Sequence, residues 1–199
     1  SAARSSAARS GAAAGVTTGL APESLGAVPG QPGGAQTGTS ADADPAGTHS
    51  LEVIDDYAHH PTEIRLTLAA ARSRARDRAL WAVLQPHTYS RFAAMLDGFA
   101  DAFADADRVY VTDVYAAREH DDLGRHPSDL VTRLRRPAFA VHVPWPELTG
   151  RLAADVRAAL ADTGGDAPTR GILLLTLGAG TITTVGPRLL ATLGAGPAG

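Results

Sequence analysis

Cysteine, lysine and asparagine are missing from the 199 residues. Without cysteine there is no disulfide, no thiolate metal ligand and no cysteine nucleophile. Without lysine, all 18 basic residues are arginine, so no phosphate-loop lysine and no Schiff-base lysine can come from this chain. Long hydrophobic runs are also missing. The longest, "ILLLTL" at 172–177, is far too short to cross a bilayer. The N-terminus carries no apolar segment of signal-peptide type, so the expectation is a soluble cytoplasmic protein. An excess of positive charge is absent too. A net charge of -3 and a pI of about 6.1 give no electrostatic reason to expect nucleic acid or an anionic membrane as partner.

What is present divides into two regions. Residues 1–50 are mostly Ala, Gly, Ser, Thr and Pro and open with the near-duplicate "SAARSSAARS". They offer hardly any large apolar side chain to offset the entropy of ordering a backbone, which predicts a disordered low-complexity linker. Arg4 and Arg9 read as solvating residues of that linker, and "GVTTGL" at 15–20 lacks the lysine of a phosphate loop.

From residue 51 an alternation begins. "LEVI" (51–54), "LWAVL" (80–84), "RVYVT" (108–112), "FAVHV" (139–143) and "GILLLTL" (171–177) read as strands. Between them lie helical patterns. One starts near Pro61, which suits a first helical position, and carries Ile64, Leu68, Ala71 and Ala75 on one stripe. It closes on the arginine-rich "RSRARDR", expected as a solvated cationic end. A second carries Phe92, Met95, Leu96, Phe99 and Phe103. A short one lies near 128–135, another carries Leu148, Leu152 and Val156, and the last carries Leu189, Leu190 and Leu193. Alternating strands and helices predict an α/β fold with a Rossmann-like, mostly parallel sheet and helices on both faces. Such sheets bind ligands outside the carboxyl ends of their strands, where the strand order reverses.

Polar loops follow four of the five strands. "DDYAHH" (55–60) offers Asp55 and Asp56, which suit ribose hydroxyls or a metal ion, or else a loop or helix cap. Tyr57 suits stacking on a ligand or packing at the sheet edge. His59 and His60 are adjacent and lack a third metal ligand at ordinary spacing, which argues against zinc; a histidine donating to a carboxylate or phosphoryl oxygen fits better. "QPHTYSR" (85–91) offers His87, Tyr89 and Arg91. An arginine near a helix start opposes the dipole and wants an anionic partner, either a ligand or a local acid such as Glu63 or Asp113. Asp113, Tyr115, Arg118 and Glu119 follow the third strand and suit a structural network. "GAG" at 178–180 allows close backbone approach but is a weak dinucleotide signal. His49, His120, His126 and His142 read as structural or solvated.

Taken together, "VIDDYAHHPTEI", "QPHTYSR", "TDVYAARE" and "TLGAG" resemble the C-terminal domain of the Mur ligases, and among them the branch that adds L-alanine to UDP-N-acetylmuramate in peptidoglycan synthesis. The resemblance covers residues 51 to about 193 and implies a Mur ligase C-terminal domain over 51–199. It implies ATP and magnesium as cofactors, held mainly by a central domain this chain does not contain, and an acyl-phosphate intermediate attacked by the amine of L-alanine. By motif position Asp56 resembles the acid that binds the ATP ribose. Tyr57, His59, His87 and Arg91 resemble the group lining the alanine and acyl-phosphate site, and Ala179 resembles a backbone contact to the amino acid. Because the phosphate loop and UDP-sugar site of the family belong to other domains, the resemblance implies a fragment or separately encoded piece, inactive by itself and partnered by N-terminal and central ligase domains.

Two other readings compete with this one. The murein-tripeptide recycling ligase shares a similar carboxylate-histidine loop. A non-catalytic module that holds a nucleotide or a partner domain without turnover would use the same rim. A metal hydrolase built on Asp55, Asp56, His59 and His60 is disfavoured by ligand spacing.

Overall fold

The chain's computed structural model describes residues 16–17, 38–41, 50–121, 123–162 and 171–195. Its centre is a parallel sheet. The strands β3 (Ser50–Asp56), β4 (Ala79–Leu84), β5 (Arg108–Val111), β6 (Phe139–His142) and β7 (Gly171–Leu177) stand in the order β3-β7-β4-β5-β6. All four of their pairings are parallel. β7 is buried along its whole length, and its side chains alternate between two cores. Leu173, Leu175 and Leu177 face one; Ile172 and Leu174 face the other. A period of two on both faces is why this strand reads as an unbroken apolar run.

The helices divide by face in the same way. The first core takes α1 (Pro61–Ala75), α2 (Tyr89–Phe99) and α3 (Pro127–Arg133) through Ile64, Leu68, Phe92, Leu96, Phe99 and Leu130. The second takes α4 (Trp145–Ala161) and α5 (Val185–Gly194) through Leu148, Leu152, Val156, Val185 and Leu189. This is the architecture the alternating pattern predicts. A short 3-10 turn, Thr181–Thr184, leads from β7 into α5.

Two small strands, β1 (Val16–Thr17) and β2 (Gly38–Ala41), come from the segment expected as linker. β2 lies antiparallel on the outer edge of β3, and β1 on β2. An unpaired strand edge offers a row of backbone donors and acceptors, which is enough to recruit a short extended segment without apolar side chains. The rest of residues 1–49, including Arg4, Arg9 and His49, lies outside the described residues.

Two helices begin with one device. His60 precedes α1, and its Nδ1 accepts from Thr62 N at 3.2 Å while Glu63 accepts from His60 N at 3.1 Å. His126 precedes α3, with its Nδ1 accepting from Ser128 N at 3.2 Å and Asp129 accepting from His126 N at 3.2 Å. In both, proline follows at the first helical position. A histidine here replaces the usual Ser or Asp of a capping box. The far end of α1 differs from the solvated cationic end expected. Arg72 donates to the Asp105 carbonyl at 3.0 Å and to Asp107 at 2.8 Å. Arg74 and Arg78 both close on Glu52 of β3. The arginine run is therefore a tether between helix and sheet.

Candidate functional site

β7 lies between β3 and β4, yet its exit leads to α5 on one face while theirs lead to α1 and α2 on the other. The chain diverges there, and divergence opens a crevice above the carboxyl ends. The three exits are tied at their bases: Gly178 N donates to Asp56 O at 3.2 Å, and Gln85 N to Leu177 O at 3.0 Å.

The β3 exit begins with two carboxylates in different settings. Asp55 accepts from the buried Thr176 hydroxyl at 2.6 Å. Burial, aided by the neighbouring charge of Asp56, raises its pKa above the ordinary value despite that bond. Asp56 turns into its own loop, accepting from Ala58 N at 2.8 Å. Tyr57 is 67% exposed and sets its ring edge-on to His59, centroids 5.5 Å apart. His59 Nδ1 lies 3.1 Å from Tyr57 O, and its Nε2 lies 3.1 Å from Arg91 Nη1. A carbonyl only accepts and a guanidinium only donates, so the proton sits on Nδ1 and Nε2 accepts. His60, the adjacent histidine, is occupied as the cap of α1.

The β4 exit carries His87, Thr88 and Arg91, and it is fastened to the loop after β5. Tyr115 N donates to Pro86 O at 2.8 Å and Thr88 N to Tyr115 O at 2.9 Å, extending the parallel ladder beyond the sheet. His87 stacks on Tyr115 with centroids 5.6 Å apart and stands 5.9 Å from the His59 ring. Burial first, then the neighbouring His59 ring and the Arg91 charge, push the His87 pKa below its ordinary value. Its Nδ1 is buried without a hydrogen-bond partner. Thr88 and Ala117 hold φ values of 58° and 54°, a region costly for residues with a Cβ and typical of functional loops.

Arg91 stands in the first turn of α2 and is exposed. The local acids considered for it are engaged elsewhere. Glu63 caps α1. Asp113 accepts from Trp145 N at 2.9 Å and lies 2.9 Å from His142 Nε2. Among the described residues no carboxylate pairs with Arg91.

The β7 exit is the Gly178-Ala179-Gly180 turn. Gly178 has φ 146°, which only glycine adopts without strain. Gly180 is needed for a different reason from the one expected. A Cβ there would stand 2.6 Å from Tyr115 Cγ and 2.8 Å from Gln85 Oε1, so its open side is filled by protein. Gln85, buried at the end of β4, accepts from Ile182 N at 3.0 Å and donates to Thr181 Oγ1 at 3.1 Å. This glutamine organises the turn, and its polarity at the end of an apolar strand was the signal for it.

Asp56 at the last position of β3, Tyr57, His59, His87 and Ala179 on the loops, and Arg91 in the first turn of α2 thus lie at one rim of the sheet, as the alternating pattern requires. His59, His87 and Arg91 form one contiguous group. Asp56 and Ala179 reach it through the β3–β7 backbone bond. Among the described residues, no three His, Asp or Glu side chains are grouped to hold a metal ion. No helix among them is long and apolar enough to cross a membrane.

A family model described as Mur ligase, glutamate ligase domain, matches residues 44–180. The UDP-N-acetylmuramate–L-alanine ligase of Frankia alni is 76% identical over 156 residues, covering 77% of this chain and 26% of that protein. The enzyme of the same name from Frankia casuarinae is 72% identical, covering 77% of this chain and 30% of that protein. The crystal structure of UDP-N-acetylmuramate-alanine ligase from Thermotoga maritima matches with a TM-score of 0.54 at 28% identity, over 80% of this chain and 30% of that one. The murein peptide ligase of Psychrobacter arcticus shares the fold, with a TM-score of 0.52 at 20% identity over 76% of this chain and 29% of that one. The chain therefore spans about 26–30% of the length of these curated relatives.

Proposed function

The chain belongs to the Mur ligase family, through its glutamate ligase domain, and from that membership we propose that it is the C-terminal domain of a ligase joining L-alanine to UDP-N-acetylmuramate. The observation that carries the reading is Arg91, bonded to His59 and without a carboxylate partner among the described residues, at the mouth of the β3–β7–β4 crevice. A guanidinium in that state is a receptor for a carboxylate or phosphoryl oxygen. The identity of 76% to a ligase named for L-alanine favours that amino acid over the murein tripeptide.

ATP, when bound, supplies the phosphoryl group that activates the muramoyl carboxylate. The residues of this chain have the work of position and charge. Asp56, a carboxylate at the end of β3, fits a ribose hydroxyl. Arg91 holds the anionic end of alanine or the acyl phosphate. His59, its Nδ1–H turned to Tyr57 O and its Nε2 accepting from Arg91, keeps the guanidinium in place. His87, held on the unprotonated side by burial, leaves room for an amine to enter without a competing charge. Tyr57 and the Ala179 backbone close the two sides. No three His, Asp or Glu side chains are grouped to hold a metal ion among the described residues, so no step is assigned to magnesium on this chain. Residues 1–199 assayed alone, which include no lysine, are expected not to ligate.

The reading is tested by joining residues 44–199 to the N-terminal and central domains of the Frankia alni relative. L-alanine-dependent phosphate release should return, and Arg91→Ala should raise KM for alanine by roughly 10- to 100-fold, the loss of one charge-assisted pair. Turnover with free tripeptide and not with alanine would transfer the chain to the recycling ligase. A correctly folded fusion that turns over neither would discard the ligase reading.

A further inference from the structure

α2 starts badly on its own account. Thr88, at its cap position, makes no capping bond with its side chain, and the first turn holds no acidic residue. Arg91 adds a positive charge where the helix dipole is already positive. The missing acid arrives from elsewhere. Glu119, 29 residues further along the chain, accepts from Ser90 N at 2.8 Å with one oxygen and from Ser90 Oγ at 2.6 Å with the other. An orphan amide of the first turn is thereby satisfied. Glu119 is held in its own tight turn, where Glu119 N donates to Ala116 O at 2.9 Å beside the strained Ala117.

Both Glu119 oxygens are committed to Ser90. The acid therefore offsets the charge at the helix start without pairing with the Arg91 guanidinium, which instead reaches His59 Nε2 at 3.1 Å. We propose that Glu119 is a positioning residue for Arg91: it caps α2 from the neighbouring loop, fixes the turn from which Arg91 projects, and leaves the guanidinium open to an anionic ligand. The contact to ligand belongs to Arg91, so the consequence for catalysis rests on the ligase reading above, while the geometric statement does not.

The geometric statement is tested on the chain itself. With 15N-labelled histidine at about pH 8, above the ordinary histidine range, His59 should show a single Nδ1–H tautomer. Arg91→Ala should turn it into a mixture and so identify the signal. Glu119→Ala should give the same mixture as Arg91→Ala, and Glu119→Gln, whose amide can still accept from Ser90 N, should restore the wild-type tautomer. A His59 tautomer unchanged in Glu119→Ala overturns the proposal even if that variant melts earlier, since a merely structural cap would lower the melting point and nothing else.

In the fusion enzyme, Glu119→Ala should raise KM for alanine roughly five- to tenfold, the scale of one lost helix cap. KM for ATP should stay within about twofold, and Glu119→Gln should recover most of the loss. Equal changes in both KM values would count against positioning. If the fusion does not ligate at all, the ligase reading fails while the tautomer experiment still decides the role of Glu119.

Discussion

At the scale of single residues, two glycines show how much depends on what surrounds a position. Gly180 has a φ of -118°, outside the left-handed region that favours glycine. A side chain there costs in space, because the ring of Tyr115 and the amide of Gln85 already occupy it. Gly180→Ala is expected to lose about 1–3 kcal/mol, the usual range for overpacking. It should also displace Tyr115, which the His87 ring resonances would register. Gly150 is the contrast. It lies inside α4, exposed, with nothing within 4 Å of a Cβ. Gly150→Ala should gain roughly 0.5–1 kcal/mol from helix propensity alone. Urea denaturation of the two variants measures both signs, and a neutral Gly180→Ala would show that the Tyr115 packing is loose. The sequence "GAG" points to a backbone that must come close to something. It does not say whether that neighbour is a ligand or a tyrosine 65 positions earlier, because the contact is made by tertiary placement.

At the scale of elements, α1 is held to β3 by charge as well as by its apolar stripe. Glu52 is 9% exposed, mid-strand, and both Arg74 and Arg78 close on it. Burial pushes its pKa up, but the bonds and charges of the two arginines outweigh that and hold the carboxyl below its ordinary 4.5. A carboxylate with a lowered folded pKa stabilises fully above its unfolded value and loses that contribution as pH falls through the folded one. Glu52→Gln is therefore expected to cost about 1–3 kcal/mol at neutral pH, less than a lost buried charge because the amide keeps a partial acceptor. The difference from wild type should shrink as the pH drops below about 4.5. Urea titrations at several pH values read this directly, and a gap independent of pH would mean that packing, not charge, sets the cost.

The same element shows what a sequence can and cannot reveal. Pro61, Glu63 and the stripe Ile64, Leu68, Ala71 and Ala75 define the helix from local rules, and the structure keeps its start at Pro61. That His60 is its cap escapes those rules, since histidine is not among the customary capping residues. The pattern His-Pro-X-acid recurs at His126, so the chain uses it as a start signal twice. The Glu119 cap on α2 is invisible to local rules for a different reason: donor and acceptor are far apart in sequence and meet only after β4 and β5 have paired.

At the scale of the whole molecule, alternation of strands and helices predicts a parallel sheet with polar loops gathered at one rim, and the structure has both. Periodicity does not reveal that β7 inserts between β3 and β4. That long-range insertion makes the crevice, and it brings Ala179 beside Asp56 through Gly178 N. The crevice also bears on the remaining alternative, an autonomous nucleotide-binding module. On the proposed reading, a domain that closes over a triphosphate held elsewhere needs only a few contacts of its own, with Asp56 proposed for the ribose and Arg91 for an oxyanion, and no lysine stands in the chain to grip phosphates. Its affinity for ATP alone should then be weak, with a Kd on the order of 1 mM against about 1 μM for a self-sufficient site. At about 1 mM ATP the two cases differ sharply, because binding stabilises by RT ln(1 + [L]/Kd), giving roughly 0.4 or roughly 4 kcal/mol. For a domain of this size that is a melting shift of about 1 °C or about 12 °C. We expect the small shift, and no phosphate release, when ATP, magnesium, UDP-N-acetylmuramate and L-alanine are added to the isolated chain. A shift near the upper figure that disappears in Asp56→Ala would make the rim a complete nucleotide site and turn the chain from a closing lobe into a module in its own right.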